Sequence, residues 1–196
     1  MQPILSILIC ALYKRAGMLA ELLRSLYEQI EQLGAEDKVE VLVEADNGES
    51  STGAKRNTLM EESAGVYVVY IDDDDEVPDY YVEEILNAAE SGCDAMAIQG
   101  TMTTDGRDEK KWYISKDNPY VASRDENGSE IYLRFQNHIS PIKREIASSV
   151  KFLPISQGED YFWAKQIHDA GMIKTEAKID RPMYHYKFVR LKGQNG

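Results

Sequence analysis

A wholly apolar and aromatic run, Val66-Tyr67-Val68-Val69-Tyr70-Ile71, ends abruptly in Asp72-Asp73-Asp74-Asp75. Its length and composition are those of a strand covered on both faces. Four carboxylates therefore crowd the mouth of a buried strand, where each close pair repels by up to about 4 kcal/mol at an intermediate dielectric. A positive partner is needed, and a hard divalent cation that prefers oxygen ligands is the natural candidate. A local account competes with this one: Pro78 is placed to open a helix, and Asp75 or Glu76 beside it favours the positive end of the helix dipole. That account uses one or two acids and leaves the others unexplained.

The rest of the first hundred residues repeats one rhythm. Ile4 to Cys10 is a second nearly continuous apolar run, and after the turn at Lys14, Arg15 and Gly17 the residues Leu19, Leu22, Leu23, Leu26, Ile30 and Leu33 recur at helix spacing up to Gly34. Val39 to Val43 reads as another strand, followed by the loop Asp46 to Gly53 and a helix carrying Lys55, Arg56 and Asn57. Behind the acidic run, Val82, Ile85, Leu86 and Ala89 mark a helix stopped by Gly92, and Asp94 to Gln99 a fourth strand. Such alternation predicts an α/β fold, a doubly wound, mostly parallel sheet flanked by helices, with ligands at the carboxyl ends of the strands.

Beyond Gly100 the rhythm is lost. Thr104-Asp105-Gly106 and Glu126-Asn127-Gly128 are turn signals that predict hairpins or a long excursion, followed by a short helix near 143–149, a longer one over 159–170 and strand-like segments to Phe188. This C-terminal half is expected to be rich in hairpins and loops. A chain of 196 residues with 43% apolar content fits one domain, 1–196, with halves 1–100 and 101–196.

A net charge of −12 argues against nucleic acid as a partner, because phosphate backbones need a basic face. Cys10 and Cys93 both fall in apolar segments, the setting of small buried thiols, and a reducing cytoplasmic location is expected. Pro3 to Leu12 lacks the basic lead and small-residue cleavage site of a signal peptide, and no stretch has membrane-spanning length.

The predicted sheet brings three loops to one edge, carrying Tyr13, Asp46 and Asp72 to Asp75. An aromatic face, a lone carboxylate and a cation site together suit a nucleoside diphosphate: the base stacks, its imide nitrogen donates to the carboxylate, and the cation neutralises the diphosphate. In this order and spacing, four segments resemble the family 2 glycosyltransferases of the GT-A fold. They are Ser6 to Arg15, Gly53-Ala54-Lys55-Arg56-Asn57, Ala64 to Asp75, and Gly158-Glu159-Asp160-Tyr161-Phe162-Trp163.

The resemblance implies a GT-A-like fold, with 1–100 binding the nucleotide-sugar and 101–196 supplying acceptor contacts and the catalytic base. It implies a metal-dependent, inverting transfer of a sugar from a nucleoside diphosphate sugar, a UDP-sugar first, to a carbohydrate or other hydroxyl acceptor. The cofactor would be manganese or magnesium. Asp72 and Asp74 take the place of the Asp-x-Asp element, with Asp74 on the metal, Asp72 on the ribose or metal, Asp75 in reserve and Asp73 beside the nucleotide. Asp46 and Tyr13 would contact the base. Arg56 would approach the base or phosphates, or else serve as a solvated helix charge or salt bridge.

Asp160, then Glu159, falls where the family places the base that takes the acceptor's proton, although a Gly-Glu-Asp helix start is also ordinary capping. His185 sits like a late histidine that completes metal coordination, or else is a packed strand residue among tyrosines. His138 and His168 have weaker claims, and His168 falls on an amphipathic helix. Lys187, Arg190 and Lys192 form a basic end that closes over the diphosphate or is simply solvated. The aromatics Trp112, Tyr113, Tyr120 and Trp163 stack on acceptor sugar rings or, as is more common at this density, belong to the core; Trp163 is placed best for stacking.

Departures and rivals are also legible. Glu44-Ala45-Asp46-Asn47 replaces the more regular acidic segment of many relatives. Nucleotidyl transfer would want a glycine-rich loop after the first strand, where only Gly17 is found, and an Asp-x-Asp phosphatase would carry its acids near that strand. The non-enzymatic alternative is a nucleotide-sugar- or metal-binding module without turnover.

Overall fold

The computed structural model describes residues 2–188. One mixed nine-stranded sheet runs through the chain in the order β2-β1-β3-β8-β4-β5-β7-β6, with β9 joined to β4. Strands β1 (Leu5–Leu12), β2 (Val39–Asp46) and β3 (Tyr67–Asp72) are mutually parallel, with β1 in the centre. Their shared direction brings Leu12, Asp46 and Asp72 to one edge, because β1 aligns Leu12 with Asp46 and Cys10 with Asp72.

The connecting helices are α1 (Ala16–Leu33), α2 (Thr52–Glu62) and α3 (Tyr81–Ala89). Gly34 ends α1 in the left-handed conformation, φ 56°, where its N–H closes onto Ile30 and Glu31 carbonyls. Side chains alternate across the sheet, so β1 and β3 feed two cores. Ile7, Ile9, Val69 and Ile71 pack with Leu26 of α1 and Ile85 of α3. Leu8, Val68 and Tyr70 pack on the other face with Leu59 of α2 and Phe152 and Trp163.

The second half departs from a purely parallel sheet. β4 (Ala95–Thr104) turns at Asp105-Gly106 into antiparallel β5 (Arg107–Ile114), and β6 (Val121–Arg124) pairs antiparallel with β7 (Glu130–Arg134). Both hairpins lie where the turn residues predicted them. The two-residue strand β8 (Ile142–Lys143) leads into the short α4 (Arg144–Ala147), and α5 (Glu159–Asp169) follows after a loop. The terminal strand-like segments form one long strand, β9 (Glu176–Phe188), parallel to β4 with two register shifts. Among the described residues no helix is long and apolar enough to cross a membrane.

Gly53, at the start of α2, seats that helix on the loop before α5. Its N–H donates to the Ile155 carbonyl at 3.0 Å, and a Cβ at this position would lie 1.8 Å from the Leu153 carbonyl oxygen. Only glycine lets the two backbones approach so closely. Gly53→Ala is therefore expected to destabilise the protein by about 1–3 kcal/mol, read as a lower urea midpoint with an unchanged m-value.

Candidate active site

At the edge formed by β1 and β2, Tyr13 lies in a short 3-10 turn and is 58% exposed, its ring open to a ligand. Asp46 closes the turn that follows β2, accepting from the Gly48 and Ser50 amides at 3.0 and 2.7 Å. The buried Lys55 ammonium donates to Asp46 Oδ1 at 2.5 Å and to the Ala11 carbonyl at 2.8 Å, tying the two strand ends together. Lys55 and these amides hold the Asp46 carboxyl down at about 2. With three bonds on four lone-pair positions, the carboxylate retains one acceptor site on Oδ2.

The four aspartates do not face one cation together. Asp73 is buried and turned inward: Oδ2 accepts from the Leu12 amide at 2.9 Å and Oδ1 from Arg15 at 2.8 Å. Arg15 also reaches Asp74 Oδ2 at 3.0 Å. Asp75 is likewise buried, its two oxygens engaged by the Tyr184 hydroxyl and the Lys187 amide, each at 2.8 Å. The expected nucleotide contact of Asp73 and reserve ligation by Asp75 thus fall on side chains that the fold already occupies. Asp72 and Asp74 remain partly exposed, at 30% and 26% of their side chains.

Arg56, on the buried face of α2, joins β3 to α5. One terminal nitrogen of its guanidinium lies 3.1 Å from Asp72 Oδ1 and the other 3.2 Å from Glu159 Oε1, while its central carbon lies 5.5 and 5.6 Å from the Tyr70 and Phe152 ring centres. It is the salt-bridge alternative that the structure realises, although in a buried setting. Burial opposes its charge, but the facing carboxylates outweigh this and keep it protonated. Glu159 is accordingly spent on Arg56. Burial raises its carboxyl, and Arg56 acts against that rise.

Asp160, the next residue of α5, points instead into a cavity of about 480 Å³ that also reaches Asp72, Glu159, Trp112, Tyr132 and Tyr186. His138 bridges the two carboxylates: Nε2 is 3.5 Å from Asp72 Oδ2 and Nδ1 is 3.5 Å from Asp160 Oδ2. At this distance neither contact is a hydrogen bond, and neither ring nitrogen has a hydrogen-bond partner. Burial works to raise the Asp72 carboxyl, yet His138 and Arg56 together hold it well below the usual carboxylate range. His138 had only a weak claim in the sequence, whose sole local cue was a histidine in the polar stretch Gln136-Asn137-His138 ahead of Pro141. Its position follows from the main chain, where the Tyr70 amide donates to its carbonyl at 2.9 Å.

His185, expected as a metal ligand, presents its ring to threonines of β4 in the structure. Tyr184 and Tyr186 line the cavity, so strand alternation turns the residue between them the other way. The His185 ring lies between the Thr101 and Thr103 hydroxyls, 2.7 Å from one and 3.3 Å from the other. Trp163 takes the core alternative rather than the sugar-stacking one. It is 1% exposed, stacked on Phe152 at 4.7 Å and donating to the Ala147 and Val150 carbonyls, so it belongs to the core. Trp112 and Tyr120 are the expected aromatics that do line the cavity. His168 stacks on Phe135 at 4.4 Å. Lys187 pairs with Glu76, while Arg190 and Lys192 lie outside the described residues.

The family model for glycosyl transferase family 2 matches residues 46–151, just over half of the chain. The chain belongs to glycosyl transferase family 2. The family 2 match contains Arg56, the aspartate run and His138, whereas Glu159 and Asp160 lie beyond it. No curated protein matches the chain. Among solved structures, S. aureus TarS 1-349 superimposes with a TM-score of 0.60 at 13% identity, covering 93% of this chain and 60% of that one. The same TarS segment in complex with UDP-GlcNAc gives 0.62 at 14% identity (96% and 59%), and its complex with UDP gives 0.63 at 14% (93% and 60%). This family 2 chain thus shares their GT-A-like fold and spans about three-fifths of their length.

Asp75 gives the site a measurable pH signature. Burial, followed by the neighbouring Asp72 charge, raises its carboxyl from 3.8 to about 8. The folded state therefore binds a proton that the unfolded chain releases near pH 4, and this contribution to stability declines as pH rises toward 8. In chelator-treated protein, urea midpoints are expected to fall by the equivalent of about 2–4 kcal/mol between pH 4.5 and 8.5. Asp75→Asn retains both hydrogen-bond partners without the charge, and its profile over the same range is expected to be flatter.

Proposed function

We propose that this protein transfers a glycosyl group from a nucleoside diphosphate sugar, a UDP-sugar first among them, to an acceptor hydroxyl, with inversion at the anomeric carbon. The observation that carries the reading is the placement of Asp72 and Asp160 on one cavity, 3.5 Å to either side of the same imidazole. Family membership and the likeness to TarS, solved in complexes with UDP-GlcNAc and UDP, support the choice of donor.

A divalent cation fits the acids that keep unshared lone pairs. Among the described residues no three His, Cys, Asp or Glu side chains form a metal-holding group. The protein's share would be one or two carboxylates, Asp74 with Asp72, as is common for magnesium and manganese. When bound, the cation neutralises charge developing on the departing diphosphate.

The chain's own residues do the rest. Tyr13 stacks on the base, and the spare Oδ2 position of Asp46 accepts the base imide proton. Asp160 takes the proton of the acceptor hydroxyl as that oxygen bonds to the anomeric carbon and the bond from that carbon to the diphosphate breaks. Glu159 does not compete for this proton, because Arg56 faces it. His138 holds the Asp160 carboxylate in register with Asp72, and so with the donor.

The test uses a panel of UDP- and GDP-sugars with manganese. Asp160→Asn is expected to lower transfer by roughly 10²–10⁴-fold while UDP still binds. Asp74→Ala is expected to lose the manganese-dependent part of UDP binding, measured by calorimetry. Wild-type rates in both variants would overturn these roles, and UDP binding without transfer or hydrolysis of any sugar would identify a binding module.

A further inference from the structure

The cavity beside Asp160 holds one cation with no acid to answer it. Arg56 faces Asp72 and Glu159, and His138 stands between Asp72 and Asp160. Arg134, on β7, lines the same cavity, yet among the described residues no carboxylate lies within 4.0 Å of its guanidinium, in a chain with 34 acids against 22 basic residues. Elsewhere the acid excess is put to use: Arg15, Lys110 and Arg181 each meet an aspartate or glutamate at 2.8 Å or less.

Arg134 is held rigidly without being neutralised. Both protons of its Nη1 are taken by main-chain carbonyls, those of Val121 and Leu133, at 2.8 Å each. Its guanidinium carbon lies 4.1 Å from the Tyr120 ring centre and 5.0 Å from that of Tyr132, so aromatic faces rather than water cover part of the group. A guanidinium fixed in this way keeps Nη2 and Nε donors for a planar, two-pronged contact with an oxyanion.

Its place in the fold says which substrate would meet it. The expected nucleotide contacts cluster at β1, β2 and β3, whereas β7 lies beyond β8, β4 and β5 toward the opposite side of the sheet. Asp160 comes between: Tyr161, its neighbour in α5, packs edge-on against Tyr120 at 4.9 Å, and Tyr120 in turn covers Arg134. A molecule with one hydroxyl at Asp160 and its body against Tyr120 and Tyr132 therefore extends toward Arg134.

We infer that the acceptor is anionic: the unit bearing the attacking hydroxyl also carries a phosphate or carboxylate that Arg134 binds. This rests on the glycosyl-transfer reading above and adds the acceptor's chemical class to it. Arg134 is assigned to acceptor recognition and takes no part in the proton transfer.

The test compares methyl glucoside, methyl glucoside 6-phosphate and methyl glucuronide as acceptors and as ligands, with UDP and manganese present. UDP binding to the wild-type protein is measured first, and its absence would remove the underlying reading and this inference with it. Where UDP binds, one or both anionic compounds are expected to bind on the order of tenfold or more tighter than the neutral one. The phosphate and glucuronide arms tell which anion is preferred. Arg134→Gln is expected to bring the anionic-to-neutral ratio close to one and Arg134→Lys to restore part of it. A side chain that only pins β6 to β7 would weaken all three ligands together and leave the ratio unmoved. Equal or undetectable binding of charged and neutral compounds by UDP-competent wild type, or an unchanged ratio in Arg134→Gln, overturns the inference while leaving the glycosyl-transfer reading standing.

Discussion

The site depends on one buried guanidinium. Arg56 holds the last residue of β3 and the first of α5 in a single ion-pair cluster, so two carboxylates from distant parts of the chain share one wall of a cavity. A buried charge of this kind brings little net stability against an apolar replacement, because desolvation offsets most of the Coulomb gain. What it supplies is position. With Arg56 on Glu159, the adjoining Asp160 stands beside His138 on the same cavity.

The same logic divides the aspartate run. Like charges in sequence are tolerated when the chain turns them toward different partners. Asp73 closes on Arg15 and the Leu12 amide, anchoring the loop after β1. Asp75 closes on Tyr184 and the Lys187 amide, anchoring β9. Asp72 and Asp74, on Arg56 and Arg15 respectively, keep part of their side chains exposed. Half of the run is thus scaffolding for the other half.

Much of this was legible in the residues. The apolar runs of β1 and β3, the helix period of α1, Gly34 as its stop and the turn residues of both hairpins are local signals set by backbone sterics and burial. They predicted the α/β sheet and the edge where Tyr13, Asp46 and Asp72 meet. The structure differs where long-range pairing intervenes. β8 and β9 enter the sheet from the far end of the chain, and β9 runs parallel to β4 through two register shifts that no local pattern encodes. His185 and His138 show the consequence for the site: strand alternation turns the first toward threonines, while a loop packed on β3 carries the second, less conspicuous one between Asp72 and Asp160.

Residue order and side-chain period were enough to specify the elements of the first hundred residues and their sequence, while the motifs at their ends carried the resemblance to the family to which the chain belongs. They also placed the acids at strand and helix ends, because each of those constraints acts over a few residues. Which carboxylate is spent on Arg15, Arg56 or Tyr184 and which stays free was settled by contacts between segments far apart in the chain. So was the selection of His138 and Arg134 as residues facing the cavity, since neighbours are chosen by distance in space, to which a linear pattern of residues is blind.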